Sequence, residues 1–339
     1  MRVKNLTVMG SGSWGTTFAK VLADANPEAK VTLWARRDEV AEEIATKHTN
    51  SGYLGDLTLP FNITATSDAV AALNGADMVV LAVPAQTLRE QLTQWADAIP
   101  ADAIIVSLMK GLERGTGLRM TQVVQEVLGT SEDKLVVLSG PNLAREIARE
   151  EPTASVVACS VTETADAVAQ ACTAPYFRPY TNRDVIGAEI GGIVKNIIAL
   201  AVGMCDGMGM GDNTKATVIT RGLAETTRLA VAMGGKAETM SGLAGMGDLV
   251  ATCASSLSRN YTAGRLFGQG LSMDQVTSKM TQVAEGVKSC SAVLELAHDN
   301  GVDMPIAAAA SKVLDGSVPV IKMPKLLLDR DLKSEERNQ

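Results

Sequence analysis

The sequence predicts a doubly wound α/β domain built on a parallel sheet, followed by an all-α domain. Short, nearly all-apolar runs alternate with helical patterns through the first half. A glycine-rich turn follows the first run, and after Asp184 the strand-like runs give way to helical periodicity. The runs cover residues 6–9, 31–34, 78–83, 104–108, 135–138 and 154–158, with 177–180 as a further edge strand. Continuous apolar runs of this length suit strands buried on both faces. Helical segments lie between them, for instance 16–25 and 117–128. In the second half Ile186, Ile190, Ile193, Val194, Ile197, Ile198 and Ala201 recur at helical spacing. The expected division is 1–183, 184–328 and a charged, frayed tail at 329–339.

A chain of 339 residues accommodates about two domains. With 46% hydrophobic residues, 30 Gly and 11 Pro, it fits neither a disordered nor a collagenous class. The net charge of −7 argues against general affinity for nucleic acid or anionic membranes, so an anionic ligand must be held by a few local cations. Five cysteines without a CxxC pair argue against a disulfide framework or a zinc ribbon and for a reducing compartment. Two histidines argue against a His-rich metal site. The longest apolar stretch, 197–205, is far short of the ~20 residues that span a bilayer. The first residues show no signal-peptide core. A cytoplasmic protein with no membrane span is expected.

Gly10-Ser11-Gly12-Ser13-Trp14-Gly15 is a GxGxxG turn between a strand-like run and a helix. Gly10 permits the tight turn, Gly12 lets backbone approach a diphosphate, and Gly15 allows close helix–strand packing. In this context the turn marks a Rossmann-like dinucleotide site; otherwise it is a turn that merely needs glycines. The second run leads into Arg36-Arg37 rather than the carboxylate usual for NAD. Two guanidiniums there suit a ribose 2′-phosphate, so NADP(H) is favoured, with NAD(H) as the second carrier. The alternative is a solvated basic pair.

Other candidates lie where strand-like runs end. Lys110 precedes Gly111; Gly140 and Asn142 offer backbone and an amide. A surface lysine is the other reading of Lys110. Lys195 shares its helical face with Ala188, Gly191, Gly192, Ile198, Ala199 and Val202. Helical glycines are costly, so close approach of a ligand or another backbone is expected to compensate. Loss of hydration among apolar neighbours suits an amine to proton transfer. Alternatively, Lys195 snorkels to water from a tight helix seam. Further on, 242–248 is glycine-dense and presents Asp248, followed by Ser258-Arg259-Asn260. Arg259 with Asn260 suits a phosphate. Asp248 as a helix cap and Ser258 as a turn hydroxyl are the competing readings.

Taken together, the GxGxxG turn, Lys110-Gly-Leu-Glu113, Ser139-Gly-Pro141, Val194-Lys-Asn196, the 244–249 segment, Ser258-Arg-Asn260 and 283–286 occur in one order. That set resembles the bacterial NAD(P)-dependent glycerol-3-phosphate dehydrogenase family over residues 3–320. The resemblance implies NAD(P)H-dependent reduction of dihydroxyacetone phosphate, a phosphorylated triose, to sn-glycerol 3-phosphate for glycerophospholipid synthesis, with no metal. It implies Lys195 as proton donor and acceptor, assisted by Lys110 and Asp248. Substrate positions are Lys110, Gly140, Asn142, Lys195, Asp248, Ser258, Arg259 and Asn260, with Thr252 as a further polyol contact. Beyond the glycines, cofactor positions are Ser13, Trp14, Arg36, Arg37, Tyr53, Lys110, Ala144, Arg259, Val283 and Glu285. Asn142 departs from the Ser or Thr expected there. A related β-hydroxyacid-type dehydrogenase and a non-catalytic NAD(P)H sensor are the rivals; the sensor has no need of Lys110, Lys195 and Asp248 together. The small and apolar residues of the second half suit a homodimer.

Overall fold

The computed structural model describes residues 4–280 and 284–328. Val283 and the expected tail at 329–339 lie outside the described residues. The chain divides into two compact units. One comprises the residues up to Glu113 with Leu118–Val185; the other comprises Arg114–Gly117 and the residues from Ile186 onward.

The first unit holds an eight-stranded sheet: β1 (Asn5–Met9), β2 (Lys30–Trp34), β3 (Ile63–Thr66), β4 (Met78–Leu81), β5 (Ile104–Ser107), β6 (Leu135–Ser139), β7 (Thr153–Ala158) and β8 (Phe177–Asn182). Their order is β3-β2-β1-β4-β5-β6-β7-β8. All neighbours from β3 to β6 are parallel. Leu6, Val8, Val31, Leu33, Met78 and Val80 face one apolar cluster, while Val79, Leu81 and Ile105 face another with Trp34 and Trp95. Burial of alternate residues on both faces explains the unbroken apolar runs. The order reverses between β1 and β4, where an open α/β sheet leaves a crevice beyond the strand ends.

Two features depart from the sequence pattern. β3 was not expected; only Ile63 of its four residues is fully buried, so it carries little apolar signal. β7 runs antiparallel to β6. Their connection contains only the five-residue helix Ala144–Ala148. At 1.5 Å per residue, that is too short to carry the chain back along a strand. The next crossover has the ten-residue helix Thr162–Ala171, and β7 and β8 are again parallel.

The second unit is helical among the described residues from Ile186 onward. Its first long helix, Val185–Gly207, is long and apolar enough by composition to cross a bilayer, which the 197–205 stretch alone did not indicate; 89% of its most apolar window is buried inside the protein. Two glycine pairs seat this helix against Arg259–Gly268. A Cβ on Gly203 would lie 2.2 Å from the Tyr261 carbonyl oxygen, and one on Gly264 only 2.1 Å from that of Leu200. Gly207 and Gly268 repeat the contact one turn on, at 2.2 Å from the Arg265 oxygen and 2.3 Å from the Met204 oxygen. Elsewhere in this unit the buried Glu225 carboxylate accepts from the Ile306 and Ala307 N–H groups at 2.8 and 3.4 Å, capping the helix Pro305–Leu314.

Gly264→Ala is expected to lower stability by about 2 kcal/mol, because overpacking against backbone outweighs the gain in helix propensity. Gly52→Ala, where an added Cβ meets nothing within 4 Å, is expected to be neutral or slightly stabilising. Urea unfolding of the two variants separates these outcomes. Burial raises the Glu225 carboxyl to about 7. Its folded value therefore exceeds its unfolded one, so the stability linked to its protonation is present below about 4.5 and lost as pH rises through about 7. Glu225→Gln should therefore gain on the parent protein between pH 5 and 8, by up to about 3 kcal/mol, in unfolding curves taken across that range.

Candidate functional site

In the first unit the three motif glycines serve different physical needs. Gly10 has φ +127°, and a Cβ there would lie 2.6 Å from the Ala82 carbonyl oxygen where the chain leaves β4. A Cβ on Gly15 would overlap the Gly10 carbonyl oxygen at 1.9 Å. Gly12 is different: an added Cβ meets nothing within 4 Å, so its backbone faces open space. Gly12 is also the cap of the helix Ser13–Ala25, which has no side-chain cap and no acid in its first turn. Such a helix end offers N–H groups and positive dipole to an anion.

Around this loop, Trp14 packs its ring on Phe18 at 5.6 Å, and its indole nitrogen is buried without a hydrogen-bond partner. Arg36 and Arg37 are exposed beyond β2. Asp38 and Glu39 lie in the first turn of the helix Asp38–Lys47, where they complement that helix's own dipole. Tyr53 is half-buried in the short helix Ser51–Leu54. Lys110 donates to the Gly140 carbonyl at 3.1 Å, joining the chain beyond β5 to the chain beyond β6. Gly140 has φ +138°. Both polar atoms of the Asn142 side chain are buried without a partner. Ala144 accepts from the Thr17 hydroxyl at 3.2 Å, which ties its turn to the helix Ser13–Ala25. The helix end without a side-chain cap, the open space at Gly12 and the unpartnered Trp14 nitrogen fit a dinucleotide.

In the second unit Lys195 is 8% exposed and pairs with the buried Asp248 carboxylate. Its ammonium also donates to the Thr252 hydroxyl at 2.8 Å, and that hydroxyl donates to the Asp248 carbonyl at 2.6 Å. A buried ammonium is tolerated only with such partners, and here a third N–H is left for a ligand. Gly191, on the face of Lys195, has a backbone explanation: a Cβ there would lie 2.5 Å from the Ala244 carbonyl oxygen. That contact seats the segment Leu243–Gly247 on the Lys195 helix and delivers Asp248 at the start of Asp248–Ala254. Burial raises the neighbouring Cys253 thiol to about 12, so it stays protonated at neutral pH.

The Ser258 hydroxyl caps the helix Arg259–Gly268 by accepting from the Tyr261 N–H at 3.2 Å. Arg259 is exposed in the first turn of that helix. Asn260 is buried; it donates to Asn196 Oδ1 at 2.9 Å and accepts from the Gly286 N–H at 2.8 Å. It therefore fixes the Lys195 helix and the first turn of Glu285–Asp299, where Glu285 is half-buried. The sequence reading missed two residues. Asn196 follows Lys195 but is engaged by a residue 64 positions away. Asn50, 1% exposed, holds the glycine loop across 39 positions. Neither contact leaves a local sequence signal.

Comparison with known proteins gives one family. Residues 5–165 match the model described as NAD-dependent glycerol-3-phosphate dehydrogenase N-terminus, and residues 184–325 match its C-terminus. A relative from Streptomyces griseus subsp. griseus is 54% identical over 331 residues, covering 97% of this chain and 98% of the relative. One from Corynebacterium diphtheriae is 56% identical over 329 residues, covering 97% and 99%. Both carry the name glycerol-3-phosphate dehydrogenase (NAD(P)+). The crystal structure of glycerol-3-phosphate dehydrogenase from Coxiella burnetii superposes with a TM-score of 0.90 at 34% identity, covering 97% of this chain and 99% of that one. A ketopantoate reductase from Ralstonia eutropha, at 15% identity and a TM-score of 0.56, shares the fold alone.

Asp248→Asn is expected to cost about 3 kcal/mol or more, since Lys195 stays buried and charged without its counter-ion. Lys195→Met combined with Asp248→Leu should be less damaging than Asp248→Asn. Chemical denaturation of the three proteins measures the order.

Proposed function

We propose what this chain does from the fact that it belongs to the NAD-dependent glycerol-3-phosphate dehydrogenase family: it reduces dihydroxyacetone phosphate to sn-glycerol 3-phosphate with NADPH or NADH, reversibly. The product is a precursor for glycerophospholipid synthesis. One observation carries the chemical assignment. The second unit holds a buried ammonium, oriented by a carboxylate and a hydroxyl, with one donor N–H to spare.

The first unit binds the dinucleotide, with its diphosphate at the first turn of Ser13–Ala25 over Gly12 and near Ser13. Trp14, Tyr53 and Ala144 flank it, and Val283, Glu285 and Arg259 are carried over as further cofactor positions by resemblance. Arg36 and Arg37 meet a ribose 2′-phosphate, which supports a preference for NADP(H). When bound, the reduced nicotinamide supplies the hydride for the substrate's C2.

Lys195 directs its remaining N–H at the C2 carbonyl oxygen, stabilises the negative charge that grows there, and transfers its proton to it. Asp248 and Thr252 keep the ammonium aimed, so no reorientation is needed as charge develops. Lys110 adds positive charge, and Gly140 and Asn142 offer backbone and amide to the substrate. Arg259, at a helix end capped by Ser258, anchors the phosphate. Asn260 donates one amide N–H to Asn196 and accepts from the Gly286 N–H through Oδ1, and its second amide N–H completes the phosphate grip. Remote phosphate binding thereby positions the reacting carbon.

The domain roles follow: 1–183 for the dinucleotide and 184–328 for substrate and proton transfer. The five cysteines are free and buried, which supports a reducing, cytoplasmic setting. The homodimer expectation loses one support, because Gly203, Gly207, Gly264 and Gly268 pack helices of the same chain. It now rests on exposed apolar side chains such as Val250, Leu257 and Ile321, and sedimentation velocity decides it.

Lys195→Ala is expected to cut turnover by about two to four orders of magnitude while NADPH titration of the variant stays unchanged. Near-normal oxidation of NADPH by that variant with dihydroxyacetone phosphate overturns the role given to Lys195. Replacing Arg36 and Arg37 together by Ala should raise KM for NADPH about ten-fold or more and leave KM for NADH nearly unchanged.

A further inference from the structure

We infer that Asn50 is a positioning residue that sets the diphosphate-binding peptide of the glycine loop. The inference rests on the reading of Gly10–Gly15 as a dinucleotide site. Asn50 is 1% exposed and lies 34 or more residues from both of its side-chain partners. Its amide nitrogen donates to the Ser11 carbonyl oxygen at 2.9 Å and to the Thr16 hydroxyl at 2.8 Å, engaging both of its N–H bonds. One side chain thus holds the loop and the first turn of the helix that follows it.

The consequence lies in peptide geometry. The Ser11 carbonyl and the Gly12 N–H belong to one trans peptide, so they point in opposite directions. Drawing the carbonyl toward Asn50 turns the Gly12 N–H away from it, and Gly12 is where the backbone faces open space. Without that hold, a glycine-flanked peptide is free to rotate, and the carbonyl oxygen can turn to where an anion must sit. Asn50 is itself clamped. Its own carbonyl accepts from the Tyr53 and Leu54 N–H groups at 3.0 and 2.9 Å. On the other side, Glu43 accepts from the Thr49 hydroxyl and the Ser51 N–H at 2.9 and 2.7 Å. The segment that carries Tyr53 therefore also carries the group that orients the loop.

Asn50→Asp tests this, because it keeps the shape but sets carboxylate oxygens against the Ser11 carbonyl; Asn50→Ala serves as the second variant should that protein fail to fold. Binding of ADP-ribose and of adenosine 2′-phosphate is measured by isothermal titration, with kcat at saturating NADPH. The expected result is roughly ten- to hundred-fold weaker ADP-ribose binding. Adenosine 2′-phosphate binding and kcat should stay within about two-fold. Equal loss for both ligands, or a fall in kcat matching the loss of affinity, assigns Asn50 a general structural role and overturns the inference; so does unchanged ADP-ribose affinity. If the parent protein itself binds no ADP-ribose, the dinucleotide reading fails first.

Discussion

The ion pair between Lys195 and Asp248 is the constraint around which the second unit is arranged. An ammonium in a largely apolar helix loses its hydration and is retained only where a carboxylate and further hydrogen bonds replace it. The carboxylate arrives from another part of the chain, so the intervening backbone must come very close. Gly191 supplies that closeness toward Ala244, and Gly203 and Gly207, more than three turns further along the same helix, supply it toward Gly264 and Gly268 of the helix Arg259–Gly268. Each glycine weakens its helix in isolation. Together they let three segments approach within backbone contact distance, and the buried pair is one result. The same approach places Asn260 between Asn196 and Gly286, so the residue after the lysine is fixed as firmly as the lysine.

The first unit solves a different problem with the same residue type. There, in the dinucleotide reading proposed, the backbone approaches a ligand as well as another strand, and Gly10, Gly12 and Gly15 divide the task. Two are required by neighbouring backbone; the third faces space. That distinction gives the glycine motif its meaning here, since a turn needing glycines only for its own shape leaves no open position. The unpartnered nitrogen of Trp14 and the unpartnered amide of Asn142 belong to the same unit. Buried polar groups without partners are costly unless a ligand or water meets them.

Much of this was legible in sequence, for identifiable reasons. Strands buried on both faces leave continuous apolar runs, so six strands and the edge strand at Phe177–Asn182 stood out. β3 did not, because one buried residue in four makes no pattern. The reversal of β7 was hidden because it depends on the length of the preceding helix. The lysine, the acid and the Ser-Arg-Asn segment could be named from residue types and spacing. Their mutual arrangement could not, because it rests on contacts 53 to 64 residues apart. The small face around Lys195 was read as room for a ligand or a backbone, and at Gly191 the backbone is what fills it.

A net charge of −7 sets a final condition on the binding of the two anionic ligands proposed. Lys195 contributes little to long-range attraction, because Asp248 neutralises it at contact; in the reaction proposed its value is local, in holding a proton donor where charge appears. Attraction must come from cations at the surface, and Arg36, Arg37 and Arg259 are exposed there. Their reach is limited to about 8 Å at physiological salt. Within that distance a guanidinium at a strand end or helix start outweighs acids spread over the rest of the surface. Division of labour follows from this. In the function proposed, exposed arginines capture phosphates and the buried, charge-compensated lysine moves the proton. The two jobs need opposite solvation, so one side chain cannot do both.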